Sequence, residues 1–355
     1  MKKWIVKMSY GFSFDATTKA KKDVSEIAMA HGYEPINAYR YVDSGESDAA
    51  QIARIDGLTA GVNPGDIVVI QYPTLISYRF ETFFIDQMNK RGIHPVVFIH
   101  DVDTWRFNWV KNSFNEIEYF NKAAALIVHG KPMAERLRAE GVTTPMVDHL
   151  LLDYLDDEHL WDKYEIPIDK FERKVVIAGN MFKSQFLIDW DLDTPITAFG
   201  TSDDELTAKL NANPKVTYGG GQFQWNLIEK MPRAFGLAWD SDIEAYSYAD
   251  YNQYNHPHKV SLYLSHGMPV VISKKSAIAP IIEQNHLGFT LNSLDEIDDL
   301  VQNTSDEELE QILKNTADLG RVLRTGYFTA NAFAQAERVV LAPDFSSDSV
   351  SDNNA

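Results

Sequence analysis

The feature that most restricts this chain is a set of short strands with no polar alternation. "DIVVIQY" (Asp66 to Tyr72), "PVVFIH" (Pro95 to His100), "ALIVHG" (Ala125 to Gly130), "KVVIAGN" (Lys174 to Asn180) and "MPVVIS" (Met268 to Ser273) are each apolar along almost their whole length. A strand with one wet face alternates; a strand apolar on both faces belongs to a parallel sheet covered by helices on either side. The intervening segments fit, because Ala20 to His31 and Arg79 to Arg91 carry helical periodicity, the second ending at Gly92. Further strands are predicted at Lys3 to Met8, Ile36 to Val42, Pro195 to Gly200, Lys215 to Gly220, Ala234 to Asp240 and Gly288 to Leu291, with a weaker one starting at Pro145.

The βα alternation runs twice. The stretch "YEIPIDKFER" (Tyr164 to Arg173) is polar, contains proline, lacks periodicity and reads as a linker. The sequence therefore predicts an N-terminal Rossmann-like domain over 1–165 and a C-terminal one over 166–342, with a disordered polar tail at 343–355. Ser293 with Glu296, and Ser305 with Glu308, have capping-box spacing. Leu309, Ile312 and Leu313 form an apolar face that Gly320 is expected to end, and a last helix over about 321–340 is in a position to cross back to the first domain. Open α/β sheets bind ligands beyond the carboxyl ends of their strands, so the cleft between two facing sheets is the default site.

Charge narrows the partners. The chain has 33 basic and 51 acidic residues, a formal net charge of −18, which repels nucleic-acid backbones and anionic headgroups. A phosphate ligand must be held by a local pocket against that field. There is no cysteine, which excludes disulfides, thiolate zinc sites and cysteine nucleophiles and fits a reducing compartment. The apolar part of "MKKWIVKMSYGF" is too short for a signal peptide, and no segment approaches the roughly 20 apolar residues of a membrane span. The expected location is the cytoplasm.

Against this background "YNHPHKVSLYLSHGMPVVIS" (Tyr254 to Ser273) is unusual, since it sets His256, His258 and Lys259 at the start of a helix, the end that repels cations. Pro257 suits the first turn, with Asn255 or His256 as the cap. The free amides near residues 258–261 form an anion site, and a bound diphosphate would turn the conflict into an advantage. Solvated side chains or a zinc pair at His256 and His258 are the alternatives. Asn180 belongs to a tight strand-to-helix turn that puts Lys183 at a helix start, and Tyr218 ends a strand before Gly219 to Gly221. His100, Asp101, Asp103 and Arg106 follow a fully apolar strand, so Asp101 is a candidate base or orienting group, or else a partner of Arg106. The loop carrying Ser13 and Thr17 faces the same cleft and lacks G-x-G-x-x-G.

"FIHDVDTWR", "AGNMFKSQF" and "PHKVSLYLSHGMPVVIS", in this order and spacing, resemble the bacterial glucosyltransferases that extend O-linked N-acetylglucosamine on serine-rich repeat adhesins, a group bordering on galactofuranosyltransferase-like proteins. The resemblance implies a GT-B fold and a UDP-sugar donor. It implies donor contacts at Thr17, Asn180, Lys183, Tyr218 and the segment Pro257, His258, Lys259, Val260, Ser261 and Leu262. The acceptor side would be Ser13, His100 and Arg106, with Asp101 as the catalytic candidate. It further implies no cofactor or metal, a glycosylated serine-rich repeat protein as acceptor, and a homo-oligomer such as a tetramer. Two readings compete on the same fold: a UDP-sugar epimerase, and a non-catalytic sugar-binding partner of a glycosylation complex.

Overall fold

A computed structural model describes residues 1–10, 16–156, 165–241 and 246–342. Ser13 and the expected tail, 343–355, lie outside them. The first sheet comprises β1 (Lys3–Ser9), β2 (Glu34–Tyr39), β3 (Ile67–Tyr72), β4 (His94–Ile99), β5 (Ala125–Val128) and β6 (Met146–Asp148), in the order β2-β1-β3-β4-β5-β6. The second comprises β7 (Val175–Ala178), β8 (Ile196–Phe199), β9 (Val216–Tyr218), β10 (Phe235–Ala238), β11 (Val270–Ser273) and β12 (Gly288–Leu291), in the order β12-β11-β10-β7-β8-β9. Every pairing within the two sheets is parallel. The unbroken apolar runs have the expected cause: every residue of β3, β5, β7 and β10 is buried, because helices cover both faces. This is the GT-B architecture.

The chain reverses direction of sheet growth between β1 and β3 in the first domain and between β7 and β10 in the second. At such switch points the loops leaving two adjacent strands diverge and open a crevice. In the second domain that crevice lies at Gly179, just after β7, and Asp240, just after β10.

Three local expectations need correction. The segment read as a linker is packed: Ile166 is buried in the second core, residues Ile168–Lys170 form a 3-10 turn, and Arg173 bonds the Val301 carbonyl at 2.9 Å. Its isoleucines, spaced about a proline, supply apolar contacts that a count of polar residues overlooks. Second, Lys183 does not begin an α-helix, since Met181–Lys183 and Gln185–Leu187 are separate 3-10 turns, the first capped by Asn180 accepting from the Phe182 amide at 3.0 Å. Third, Gly320 does not end a helix. It lies inside the helix Asp306–Leu323, where an added Cβ would stand 2.6 Å from the Leu264 carbonyl oxygen. The glycine is there for close approach to the helix His258–Ser265.

The final helix, Tyr327–Leu341, leaves the second domain and packs on the first. Ala332, Phe333 and Ala336 are buried with Ile5, Val69, Phe98 and Ile127. The Phe333 ring lies 5.0 Å from Tyr33 and 6.1 Å from Phe98. No side chain of its own caps this helix; Asp153 accepts from the amides of Phe328 at 3.3 Å and Thr329 at 2.6 Å, and His149 Nε2 meets the Thr329 hydroxyl at 2.9 Å. Truncating a buried phenylalanine removes its transfer energy and leaves a cavity. Phe333→Ala is therefore expected to lower unfolding free energy by about 3–5 kcal/mol, measured by urea denaturation, with the first-domain signal moving at least as far as the second.

Candidate active site at the interdomain cleft

Between the carboxyl ends of the two sheets lies a cleft of about 380 Å³. Its first-domain wall comes from the ends of β4 and β5: His100 and Asp101 follow one, His129 the other, and Arg106 joins them from the short helix Asp103–Arg106. Its second-domain wall comes from the loops after β7, β8 and β10, together with the start of the helix His258–Ser265. An added Cβ on Gly200, φ 155°, would meet the Gly179 carbonyl oxygen at 1.5 Å, so only glycine lets these two strand ends pack together at the cleft floor.

The helix His258–Ser265 starts one residue later than its sequence suggests. Pro257 occupies the N-cap position with φ −63° and ψ 127°, and no side chain caps the helix. Its open end lines the cleft at Pro257, His258 and Lys259. Lys259 Nζ donates to Asp240 at 2.7 Å and to the Trp239 carbonyl at 3.4 Å, so the ammonium hangs across the switch point. Burial drives the Asp240 carboxyl upward, but Lys259 and Lys183 more than offset this and hold it below its ordinary value. Lys183 Nζ sits 4.2 Å above the Tyr248 ring. Burial and the Arg106 charge lower the Lys183 ammonium. Three cations and two carboxylates line the cleft, a local reversal of the sign carried by the whole chain.

The histidines are not cations. Burial is the main cause in each case: His129 is lowered to about 4, His149 and His258 to about 3, and His100 and His256 well below the ordinary value. The His256 amide donates to His129 Nδ1 at 2.9 Å, which assigns the proton of neutral His129 to Nε2. That nitrogen is buried with no hydrogen-bond partner, as are His256 Nδ1 and Asn255 Oδ1. Polar atoms buried without partners are uncommon, and these three stand together in the cleft lining.

Both parts of the chain match one family. Residues 2–151 match the N-terminal domain of the glucosyltransferase 3-like family, and residues 175–336 match its C-terminal domain. The chain belongs to the glucosyltransferase 3-like family. Glucosyltransferase 3 of Streptococcus gordonii is 28% identical over 341 residues, covering 94% of this chain and 98% of that protein. The β-1,6-galactofuranosyltransferase WbbI of Escherichia coli K12 is 28% identical over 322 residues, covering 88% and 92%. In fold, Anabaena Alr3699/HepE, solved in complex with UDP and glucose, superposes with a TM-score of 0.61 at 11% identity, covering 93% of this chain and 98% of that one. This member of the glucosyltransferase 3-like family is a GT-B glycosyltransferase.

The family member's predicted site residues divide into two groups. Asp101, His100, Arg106, Asn180, Lys183, Pro257, His258 and Lys259 all line the cleft. Val260, Ser261 and Leu262 are buried in the helix body and do not line the cleft. Tyr218 stands off the lining, since its hydroxyl is taken by the Gly200 carbonyl at 2.6 Å and Ser202 at 2.7 Å, and it acts as a brace for the loop after β8. Thr17 falls in the first turn of the helix Ala16–Ala30. His258, expected to help hold an anion by charge, is neutral and lies against Tyr154, ring centroids 5.1 Å apart. His100 Nε2 meets Gln71 Oε1 at 3.0 Å. Asp101 is paired with Arg106 at 2.5 Å, the alternative its sequence spacing allowed. Glu116 fixes the loop that carries them, accepting from the amides of Asp103 at 2.8 Å and Thr104 at 2.7 Å. Sequence reasoning missed His129 and Asp240; Tyr248 belongs to the aromatic-rich stretch "DIEAYSYADYNQYN" (Asp242 to Asn255), which the sequence marks as a surface for an acceptor glycan or peptide. His129 and Asp240 stand one or two residues beyond apolar strands, as His100 and Asp101 do, and the same rule applied uniformly finds them.

The depressed histidines make stability depend on pH. Below the ordinary histidine value of 6.5 the unfolded chain binds protons that the folded chain refuses, so stability is lost as pH falls from about 6.5 toward 4. Asp153, raised to about 6 by burial, Glu81, raised to about 7, and Asp103, Glu116 and Asp148, also raised by burial, work in the opposite sense, against six lowered histidines once His266 is included. Each histidine adds a slope of up to about 1.4 kcal/mol per pH unit. Urea midpoints recorded between pH 7.5 and 4.5 should fall with this sign, and His258→Phe should flatten the curve while leaving stability at pH 7.5 nearly unchanged.

Proposed function

We propose that this glycosyltransferase moves a hexose, glucose in the first instance, from a UDP-sugar to N-acetylglucosamine already attached to a serine-rich repeat glycoprotein. The observation that carries the donor half is the convergence of Lys259, Lys183 and the uncapped start of the helix His258–Ser265 on one wall of the cleft. A helix start offers amides and partial positive charge to a diphosphate, and the two ammonium groups add full charges within reach. Thr201, Gln222 and Leu227, farther along the same wall, supply the mixed polar and apolar surface a nucleobase needs. The acceptor half rests on the resemblance to glucosyltransferases of serine-rich repeat adhesins, and the choice of glucose on the likeness to Glucosyltransferase 3 of Streptococcus gordonii.

In this reading the sugar enters with its anomeric carbon near Asp101 and its hydroxyls near the Nε2–H of His129. As the bond from that carbon to the diphosphate oxygen breaks, negative charge gathers on the departing UDP. The Lys259 ammonium and the first-turn amides are already aimed at that charge and need no reorganisation when it forms. Asp240 holds Lys259 in place until the diphosphate arrives. These groups supply the charge stabilisation that a divalent cation provides elsewhere, so the proposal includes turnover that persists in a chelator. Asp101, held by Arg106, orients the acceptor hydroxyl across the cleft and takes its proton as that oxygen bonds to the anomeric carbon and UDP departs. No helix among the described residues is long and apolar enough to cross a membrane. The proposal places the reaction in the cytoplasm, on a homo-oligomer.

Calorimetric titration with UDP tests the donor site. Lys259→Ala is expected to weaken UDP binding about tenfold to a hundredfold, the usual cost of a charge-assisted contact, without loss of fold. An assay of UDP release from UDP-glucose, with and without a GlcNAc-bearing serine-rich peptide, tests the reaction. Release dependent on the peptide supports transfer; isomerisation of the sugar without acceptor supports an epimerase; neither supports a binding module. Asp101→Asn should bind UDP normally and turn over at least tenfold more slowly, and full activity in that variant would remove Asp101 from the mechanism.

A further inference from the structure

The cleft opens onto a run of aromatic rings that begins at the donor wall and continues beyond it. Tyr248 lines the cleft beneath Lys183, and its ring is stacked on Tyr246, centroids 5.4 Å apart and planes 5° from parallel. Both rings meet Phe107 of the first domain edge-on, at 6.4 and 5.6 Å. Phe107 in turn stacks on Trp109, centroids 6.0 Å apart and planes 16° from parallel. The backbone joins the two domains at this point, through an antiparallel bridge between Phe107 and Tyr246 and the Ser247 amide donating to the Arg106 carbonyl at 3.3 Å. Trp109 closes the run and is 59% exposed, the largest exposed aromatic side chain among the described residues.

We propose that Trp109, Phe107, Tyr246 and Tyr248 form the subsite for the acceptor's saccharide, a neutral pyranose whose apolar C–H face stacks on the exposed Trp109 indole while the other rings border it. This rests on the glycosyl-transfer reading given above. The occupant follows from position and charge. The acceptor hydroxyl must reach the anomeric carbon of the donor, so the acceptor residue lies where the cleft opens, and the run begins inside the cleft at Tyr248. Aromatic faces are flat, apolar and electron-rich, and they suit a ring whose axial hydrogens carry slight positive charge. Of the cations beside this run, Arg106 is already paired with Asp101 at 2.5 Å and Asp103 at 3.4 Å, Lys183 stands over Tyr248 and belongs to the donor wall, and the whole chain is acidic. Such a rim favours a neutral sugar over a sugar phosphate. Because Trp109 and Phe107 belong to one domain and Tyr246 and Tyr248 to the other, the subsite is complete only when the two domains stand as they do here.

The test uses the full chain and direct binding, so that it does not wait on the natural acceptor. Glucose, galactose and N-acetylglucosamine are titrated separately into the protein, with and without saturating UDP, and followed by saturation-transfer NMR. At least one of the three is expected to bind, about tenfold more weakly in Trp109→Ala, with most of the loss recovered in Trp109→Phe. UDP affinity, measured alongside, should not differ between these variants and the wild type. Absence of UDP binding in the wild type would reject the donor reading, whereas the saccharide titrations still report on the subsite. The subsite is overturned if none of the three sugars binds, if Trp109→Ala binds them as tightly as the wild type, or if glucose 6-phosphate binds more tightly than glucose. It is also overturned if light scattering shows that Trp109→Ala changes the oligomeric state, which would assign the exposed indole to a subunit contact.

Discussion

One hydrogen bond joins the two halves at the floor of the cleft: the backbone N–H of His256, from the second domain, donates to Nδ1 of His129, at the end of a first-domain strand. It sets which nitrogen of His129 carries the proton, and it holds the residue that precedes Pro257 and the open helix start. The nearby Tyr251 hydroxyl makes a second tie, accepting from the Val102 amide at 2.9 Å inside the first-domain core. Through these contacts the segment before the helix serves both as the wall of one domain and as packing for the other. The facing of Lys259 and Asp101 across the cleft depends on it.

The electrostatic design follows from burial. Five histidines in and around the cleft are held neutral, because a charged imidazole there would lose its water, and even Asp101, which favours charge on His129, does not make up for that loss. The positive charge of the site is therefore carried by lysine and arginine alone, and each of these has an anionic or aromatic neighbour. Asp240 balances Lys259, Asp101 balances Arg106, and the Tyr248 ring faces Lys183. Uncompensated charge is avoided in the empty cleft, while the ammonium groups stay close enough to a diphosphate to exchange one anionic partner for another.

Much of the fold was legible in the sequence. Apolar runs without alternation mark buried parallel strands directly, and all twelve predicted strands are present with ends shifted by a few residues. Residues that end a strand, such as Asp101 and Lys183's neighbour Asn180, were placed at the cleft by the same rule. What escaped was whatever depends on distant contacts. Whether His258 is charged is decided by Tyr154 and the surrounding protein, a hundred residues away. Whether Tyr218 faces a ligand is decided by its bonds to Gly200 and Ser202. Gly320 looks like a helix stop, and only the proximity of Leu264 shows that it marks a crossing of helices.

The return of the last helix to the first domain has a consequence for the order in which the protein can be made. A nascent first domain leaves the ribosome with its sheet complete but with the patch destined for Phe333 uncovered. Chains emerge in order, and domains ordinarily fold as they appear. Here the first domain cannot close its core until the segment 327–341, which follows the whole second domain, has been synthesised.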